Sequence, residues 1–389
     1  MPLANSYVLK GNLERRERTY PLHVRVCENC LLVQHDADVS PEEMFREYAY
    51  FSSVSKAWVE HARTFVHMAH ERFGLGPDSK VVEIASNDGY LLTHFVDLGV
   101  PVLGVDPARN IAAIARRSGV PTEAIFFSLD NAKTLADRGD SADLIVANNV
   151  LAHVPDINDV MSGIKRLLKP HGVLTAEFPH LLPLLEGIKF DTIYHEHFFY
   201  YSLLSFEAIL NHHGLKVFDV QRLPTHGGSL RVFACHAENA TLGEMPGLLA
   251  VRRLERRAKL DRLDAYRGFG ERVRSVKRAL LAFLDRADDE TKSVAGFGAA
   301  AKGSTLLNYC GVSNGQIEYV VDETPAKVGK YLPGSHLPIV PLETIGQTRP
   351  DFILILPWNH KTEIMGKLAF VRAWDAHFVV PLPWPTICG

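Results

Sequence analysis

The segment Tyr194-His195-Glu196-His197 places a phenol, two imidazoles and a carboxylate in four consecutive residues. These are groups that general acid–base chemistry requires: a base with a pKa near neutrality and donors that can face an oxygen where charge develops. In an extended chain His195 and His197 would share one face and Tyr194 and Glu196 the other, whereas a turn would let all four converge. His-x-His also has the form of a metal-binding pair, but no further ligand cluster accompanies it in the sequence. A second group is the turn Glu83-Ile84-Ala85-Ser86-Asn87-Asp88-Gly89, between a strand and a helix start, where backbone N–H groups can hold an anion or a carboxylate. It is not a full G-x-G-x-x-G, so the fingerprint of a dinucleotide pyrophosphate is poorly met. Asp106, at the end of the next strand, is placed to accept both hydroxyls of an adenosine ribose. Cys27-Glu28-Asn29-Cys30 has the knuckle spacing of a structural zinc site, in which two thiolates take adjacent corners of a tetrahedron. His23 and His35 flank it; a redox role lacks the strand-helix context of a thioredoxin-like pair. Lys302, just inside a helix after a Gly turn, can meet a nucleotide diphosphate, although the order Lys302-Gly303-Ser304 is not that of a Walker A motif. Trp358 and Asn359 follow an apolar strand, where they can stack on and hydrogen-bond a base, or Trp358 can fill a core.

Such groups need a scaffold that gathers loops at strand ends. Residues 80–178 alternate short apolar strands with helices: strands at 80–84, 102–105, 142–146 and 172–178, helices at 90–98, 110–118 and 156–168. This order, at about 30 residues per unit, predicts a parallel, doubly wound sheet. Residues 1–70 read as an entry segment with the cysteine knuckle, a short helical start at 41–45, an aromatic stretch at 48–53 and a helix at 54–72 that stops at Gly74, Gly76 and Pro77. From 242 to 286 the composition shifts to Arg, Leu, Ala and Glu with helical periodicity, the pattern of a solvent-faced connector. The α/β order then restarts, with a strand and Gly turn at 293–298, a helix at 299–309, a strand at 317–321 ending in Asp322, and a strand at 352–356. The predicted domains are therefore 1–70, 71–240 and 241–389.

A length of 389 residues calls for two or three domains, and a chain 47% hydrophobic and 22% charged is neither disordered nor fibrous. Forty-two Lys and Arg against 45 Asp and Glu leave a formal charge of -3, so no basic field exists to hold nucleic acid or an anionic membrane. Five cysteines with no signal-like segment and no apolar run of about 18 residues point to a reduced, cytoplasmic protein. Charge and the absence of heptads suit a monomer as readily as a dimer.

With Glu83 on the first strand and Asp106 after the second, the middle unit resembles class I S-adenosylmethionine (SAM)-dependent methyltransferases, whose cofactor carries no phosphate and needs fewer glycines in the turn. The likeness narrows along the chain. Residues 82–92, Asn148-Asn149-Val150-Leu151-Ala152-His153-Val154, Glu177-Phe178-Pro179-His180, Tyr194 to Phe198 and His226-Gly227-Gly228-Ser229-Leu230-Arg231 resemble successive signatures of the sugar C-methyltransferase family. Residues 298–308, Asp322-Glu323-Thr324-Pro325, Leu332-Pro333-Gly334 and Pro357-Trp358-Asn359 resemble that family's closing domain. Its members methylate a nucleotide-linked deoxysugar at a carbon next to a keto group. The resemblance implies an α/β fold with a class I methyltransferase Rossmann-like domain, a second Rossmann-like C-terminal domain and a small N-terminal zinc-knuckle-like segment. It implies SAM as cofactor, a nucleotide-linked 4-keto-6-deoxysugar as substrate, and His197 as base with Glu196 and Tyr194 assisting. It further implies cofactor contacts from Glu83, Asn87, Gly89, Asp106 and Asn149, and substrate contacts from Tyr50, His180, His226, Lys302, Trp358 and Asn359, with Tyr48 competing for the place of Tyr50. Family members usually carry an earlier Cys-x-x-Cys that completes a four-thiolate zinc site. Here the chain opens at Met1-Pro2-Leu3-Ala4-Asn5, so the expectation is an N-terminally shortened member whose structural zinc site keeps only Cys27 and Cys30. Three other readings remain open in the sequence: an O-methyltransferase, an NAD(P)-dependent oxidoreductase built on Gly296-x-Gly298 and Asp322, and a non-catalytic nucleotide-sugar-binding protein.

Overall fold

The computed structural model describes residues 1–36, 39 and 52–388. They gather into two compact units, one of Arg25–Leu181 and Phe198–Ala265, the other of Met1–Val24, Leu182–His197 and Tyr266–Gly389. In this partition the chain leaves each unit and returns. Residues 182–197, which carry Tyr194 to His197, group with the C-terminal residues. Linear composition cannot register a short segment that is donated to a core assembled from distant sequence.

The strands of the first unit are β1 (Val24–Val26), β2 (Val33–His35), β3 (Val81–Ile84), β4 (Val102–Val105), β5 (Thr122–Glu123), β6 (Ala142–Asn148), β7 (Leu168–Pro179), β8 (Phe199–Tyr200), β9 (Leu215–Leu223) and β10 (Ser229–His236). Seven form one sheet in the order β5-β4-β3-β6-β7-β10-β9, while β1, β2 and β8 form a small second sheet. The first five strands of the large sheet run parallel; β10 is antiparallel to both β7 and β9. β3 and β4 are buried along their whole length, because helices cover both faces of a parallel sheet and leave no polar side. Val82, Ile84, Ile145 and Leu174 enter one core and Val81, Leu144, Val146 and Val173 the other. The helix Lys56–Phe73 buries Ala62, Phe65, Val66 and Ala69, the stripe of one helical face; Ser55 caps its start by accepting from the Trp58 N–H, and Gly74 ends it at φ 59°. Strand order reverses at β3, so the carboxyl ends of β3 and β6 flank the point where open α/β sheets hold ligands.

The second unit repeats this logic with β11 (Val294–Phe297), β12 (Val320–Val321), β13 (Ile339–Val340), β14 (Phe352–Ile355), β15 (His377–Val380) and β16 (Thr386–Cys388). Their order is β13-β12-β11-β14-β15-β16, parallel except for β16 against β15. The switch point falls between β11 and β14. Gly298, after β11, has φ 92°, and a Cβ there would lie 2.5 Å from Pro357 Cδ, so only glycine lets the loops after β11 and β14 approach. Among the described residues no helix is long and apolar enough to cross a membrane.

Candidate active site

In the first unit the turn after β3 is tightly wound: Ala85, Asn87 and Gly89 all have positive φ, at 56°, 51° and 82°. At Gly89 an added Cβ would meet Val120 Cγ2 at 3.0 Å. Asp106 braces this turn, its Oδ2 accepting from the Asn87 N–H at 3.0 Å and its Oδ1 from the Ala108 N–H at 2.9 Å. A carboxylate offers about four acceptor positions, so an oriented pair remains for a vicinal diol. Glu83 is 2% exposed, and burial, with Asp106 and Asp88 adding repulsion, holds its carboxyl well above the usual range. Asp106 is likewise raised by burial, against the pull of the two backbone N–H groups. Glu83 Oε2, Asp88 Oδ1, Asn148 Oδ1 and both side-chain polar atoms of Asn149 are buried with no hydrogen-bond partner. Buried polar atoms are normally satisfied, and this set of carboxylates and amides suits a ligand with hydroxyls and positive charge. The sequence-predicted residues Glu83, Asn87, Gly89, Asp106 and Asn149 thus meet at the sheet's switch point, joined by Asn148 and Asp88.

A second cluster of this unit was not foreseen. Glu177 on β7 is 0% exposed and accepts from Arg231 Nη2 at 2.9 Å, from His61 Nε2 at 3.0 and 3.1 Å and from Thr225 Oγ1 at 3.2 Å. The His61 ring stacks on Trp58 with centroids 4.9 Å apart, and Trp58 lies 5.4 Å from His226. His226 occupies the turn before β10 at φ 53°. Glu177 and the cofactor loop are linked directly, since the Glu177 carbonyl accepts from the Asn149 N–H at 2.6 Å. His180 has a different surrounding from the one expected of a substrate contact. It is 2% exposed and its Nε2 is 2.7 Å from Glu255, which also accepts from the N–H groups of Leu203 and Leu204. His180 therefore belongs to a buried network that caps the helix Leu203–His212. Tyr48, Tyr50 and the helical start at 41–45 lie outside the described residues.

In the second unit Tyr194 to His197 form a turn closed by the His197 N–H on the Tyr194 carbonyl at 2.9 Å. The turn sorts the four side chains rather than converging them. His195 Nε2 donates to the carbonyls of Pro21 and Tyr20 at 3.1 and 3.4 Å; Glu196 Oε1 accepts from Asn5 Nδ2 at 2.6 Å. Burial raises the Glu196 carboxyl, with Asn5 opposing. Tyr194 and His197 stay together, their rings 4.1 Å apart. His197 Nδ1 is 2.8 Å from the Thr192 carbonyl; a carbonyl only accepts, so Nδ1 carries the proton and the basic lone pair of the neutral ring is on Nε2.

The same unit gathers Lys302, Trp358 and Asn359 at its own switch point. Lys302 Nζ donates to Asn359 Oδ1 at 3.1 Å and sits 4.8 Å from the centre of the Trp358 ring. Burial lowers its ammonium pKa, against the attraction of Asp191. The Trp358 indole N–H is committed to Asp191 Oδ2 at 2.6 Å. Asp322, the ribose acceptor of an NAD reading, accepts from the N–H groups of Ala299 and Thr324 and is paired with Lys327 at 3.2 Å.

Three family models match the chain: Putative zinc binding domain over residues 1–45, Methyltransferase domain over 58–220 and C-methyltransferase C-terminal domain over 224–383. The C-methyltransferase NovU of Streptomyces niveus is 36% identical over 386 residues, 99% of this chain and 92% of its own. The chain belongs to the SAM-dependent C-methyltransferases. A ubiquinone biosynthesis O-methyltransferase of Bartonella bacilliformis is 29% identical to this C-methyltransferase over 143 residues, 35% of the chain and 55% of that relative. Magnesium protoporphyrin IX methyltransferase of Synechocystis PCC 6803, solved with bound SAM, is 16% identical, covers 46% of the C-methyltransferase and 77% of its own chain, and gives a TM-score of 0.34.

The cysteine knuckle of this C-methyltransferase forms a tight turn with Leu31 N–H on the Cys27 carbonyl and Cys27 N–H on the Leu32 carbonyl. Backbone N–H groups of Cys30 and Asn29 lower the Cys27 thiol pKa, and burial raises that of Cys30. Among the described residues no three His, Cys, Asp or Glu side chains stand close enough to hold a metal. Cys27 and Cys30 alone do not make a tetrahedral set, so zinc enters no step below.

Proposed function

We propose that this C-methyltransferase acts on a nucleotide-linked 4-keto-6-deoxysugar, taking a proton from the carbon next to the ketone and methylating the resulting enolate carbon. The observation that carries this reading is the hydrogen bond from His197 Nδ1 to the Thr192 carbonyl. It leaves the basic lone pair on Nε2, as a general base of near-neutral pKa requires. His197 Nε2 accepts the sugar proton; the Tyr194 hydroxyl, its ring against that of His197, donates toward the enolate oxygen. Glu196, held by Asn5, fixes the turn that carries both. Lys302 and Asn359 hold the nucleotide diphosphate, where a cation and the start of the helix Ala301–Cys310 add their attraction for phosphate. His226 lines the substrate side of its own unit.

The unpartnered atoms at Glu83, Asn149 and the diol-ready face of Asp106 support SAM as the ligand of the other switch point. When bound there, SAM supplies an electrophilic methyl group on a sulfonium. Asp106 accepts the ribose hydroxyls, while Glu83 and Asn149 bind the amino-acid end, with the Glu83 carboxyl relieved of repulsion by a positive ligand. The missing third glycine and the pairing of Asp322 with Lys327 speak against NAD(P). Calorimetry with S-adenosylhomocysteine and with NAD tests the assignment. We expect the first to bind and the second not, and Asp106→Ala to weaken S-adenosylhomocysteine by about 10²-fold, the size of two lost charge-assisted hydrogen bonds. Binding of NAD alone, or full affinity in Asp106→Ala, would overturn it.

A further inference from the structure

Asp191 belongs to none of the sequence motifs and has no part in the reaction above, yet it is the most completely enclosed carboxylate near His197 in sequence. It is 0% exposed. Its Oδ2 takes the Trp358 indole N–H at 2.6 Å, and its Oδ1 is buried with no hydrogen-bond partner. Burial pushes its carboxyl up to about 6, against the pull of Lys302 and the indole. An acid is costly to enclose in this way, and a merely space-filling role would be served by an apolar residue. Its position in the chain supplies a reason. Asp191 is the middle residue of the single turn Phe190–Thr192, and the next residue's carbonyl is the acceptor for His197 Nδ1 at 2.8 Å. The turn is closed on its other side by Thr192 Oγ1 on the Lys189 carbonyl at 2.7 Å, and Phe190 packs on Tyr309 with rings 5.0 Å apart. One peptide unit thus separates the indole clamp from the carbonyl that sets the tautomer and direction of the imidazole.

We propose that Asp191 is a positioning residue for His197, its hydrogen bond with Trp358 fixing the turn whose Thr192 carbonyl orients the imidazole for proton abstraction. The inference rests on His197 being the base. Trp358 acts here through its indole nitrogen: it ties the loop after β14 to the turn ahead of the reacting histidine. Misplacing a reacting group by about 1 Å can cost about 10²-fold, so the effect belongs in the proton-transfer rate and not in the affinity for the nucleotide.

The test uses the full chain with deoxythymidine-diphospho-4-keto-6-deoxyglucose as probe, following deuterium exchange beside the ketone and kcat for methyl transfer at saturating substrates. Asp191→Ala and Trp358→Phe should each lower exchange and kcat by roughly 10- to 100-fold, and Asp191→Ala should leave KM for the sugar nucleotide within about threefold. The double variant should be no slower than the slower single one, because both remove the same bond. Asp191→Asn keeps an oxygen that can accept from the indole and should recover most of the rate. Folded single variants with wild-type exchange, multiplicative losses in the double variant, or no rescue by Asn would each overturn the proposal. His197→Asn separates the two levels. Exchange that survives His197→Asn removes the base assignment; exchange lost there but intact in both Asp191→Ala and Trp358→Phe removes only the positioning role.

Discussion

Replacing His197 by asparagine is expected to lower methyl transfer by about 10³-fold, the usual worth of a positioned general base, and to stop deuterium uptake at the carbon beside the ketone. Asparagine preserves a donor that can reach the Thr192 carbonyl, so the turn Tyr194 to His197 should survive while the basic lone pair is lost. The double loss is the informative part. A residue that only shaped the pocket would depress methyl transfer while leaving exchange measurable when the methyl donor is withheld. Exchange at the wild-type rate in His197→Asn would remove His197 as the base. Glu196 and His195 would not be natural replacements, because one is held by Asn5 and the other by the carbonyls of Tyr20 and Pro21.

Glu177→Ala is expected to destabilise the protein by about 3–5 kcal/mol, the cost of leaving one partner of a buried ion pair behind. Arg231 is 5% exposed, directly opposite Glu177 in the sheet register, and would keep its charge without the carboxylate. Replacing both residues by apolar ones of similar volume should recover much of the loss, since a buried pair as a whole is often close to neutral. The pH dependence has a fixed sign. Burial alone would raise the Glu177 carboxyl, but His61 and Arg231 outweigh it and the net shift is downward from 4.5. A carboxyl lowered on folding stabilises above its unfolded value and ceases to do so as pH falls through the folded one. The wild type's advantage over Glu177→Ala in urea unfolding should therefore be full at pH 7 and shrink as pH drops below about 4.5. An advantage that stayed constant to pH 3, or that grew on acidification, would contradict the role given to this network.

The parallel part of the sheet was legible because its strands are short apolar runs between helical stretches. β4 has the predicted bounds and β3 differs by one residue. The hairpin β9–β10 was not. β10 is buried on both faces, so it lacks the alternation that marks a strand, and Arg231 interrupts its apolar run as though it were solvent-exposed. That charge makes sense only with Glu177 opposite it, a pairing set by sheet register. Asp191 and Trp358 are 167 residues apart, and no local pattern connects them. That a phenol, two imidazoles and a carboxylate stand together at Tyr194 to His197 could be read from residue types, but not how the turn divides them, because that depends on carbonyls and an amide supplied by residues 5, 20 and 21. Glu83 and Asp106 were recognisable from their places at strand ends. The atoms they leave unpaired follow from packing, which residue types alone do not specify.

The central claim is that the methyl group is delivered to carbon through an enolate. Its most direct test gives the protein SAM carrying a 13C-labelled methyl, with deoxythymidine-diphospho-4-keto-6-deoxyglucose as acceptor, and locates the label in the product by two-dimensional NMR. The expected product carries the labelled methyl on the ring carbon next to the ketone, with the ketone retained and that carbon's original proton lost to solvent. A label bonded to oxygen, or a methylated carbon that keeps its original proton, would contradict it.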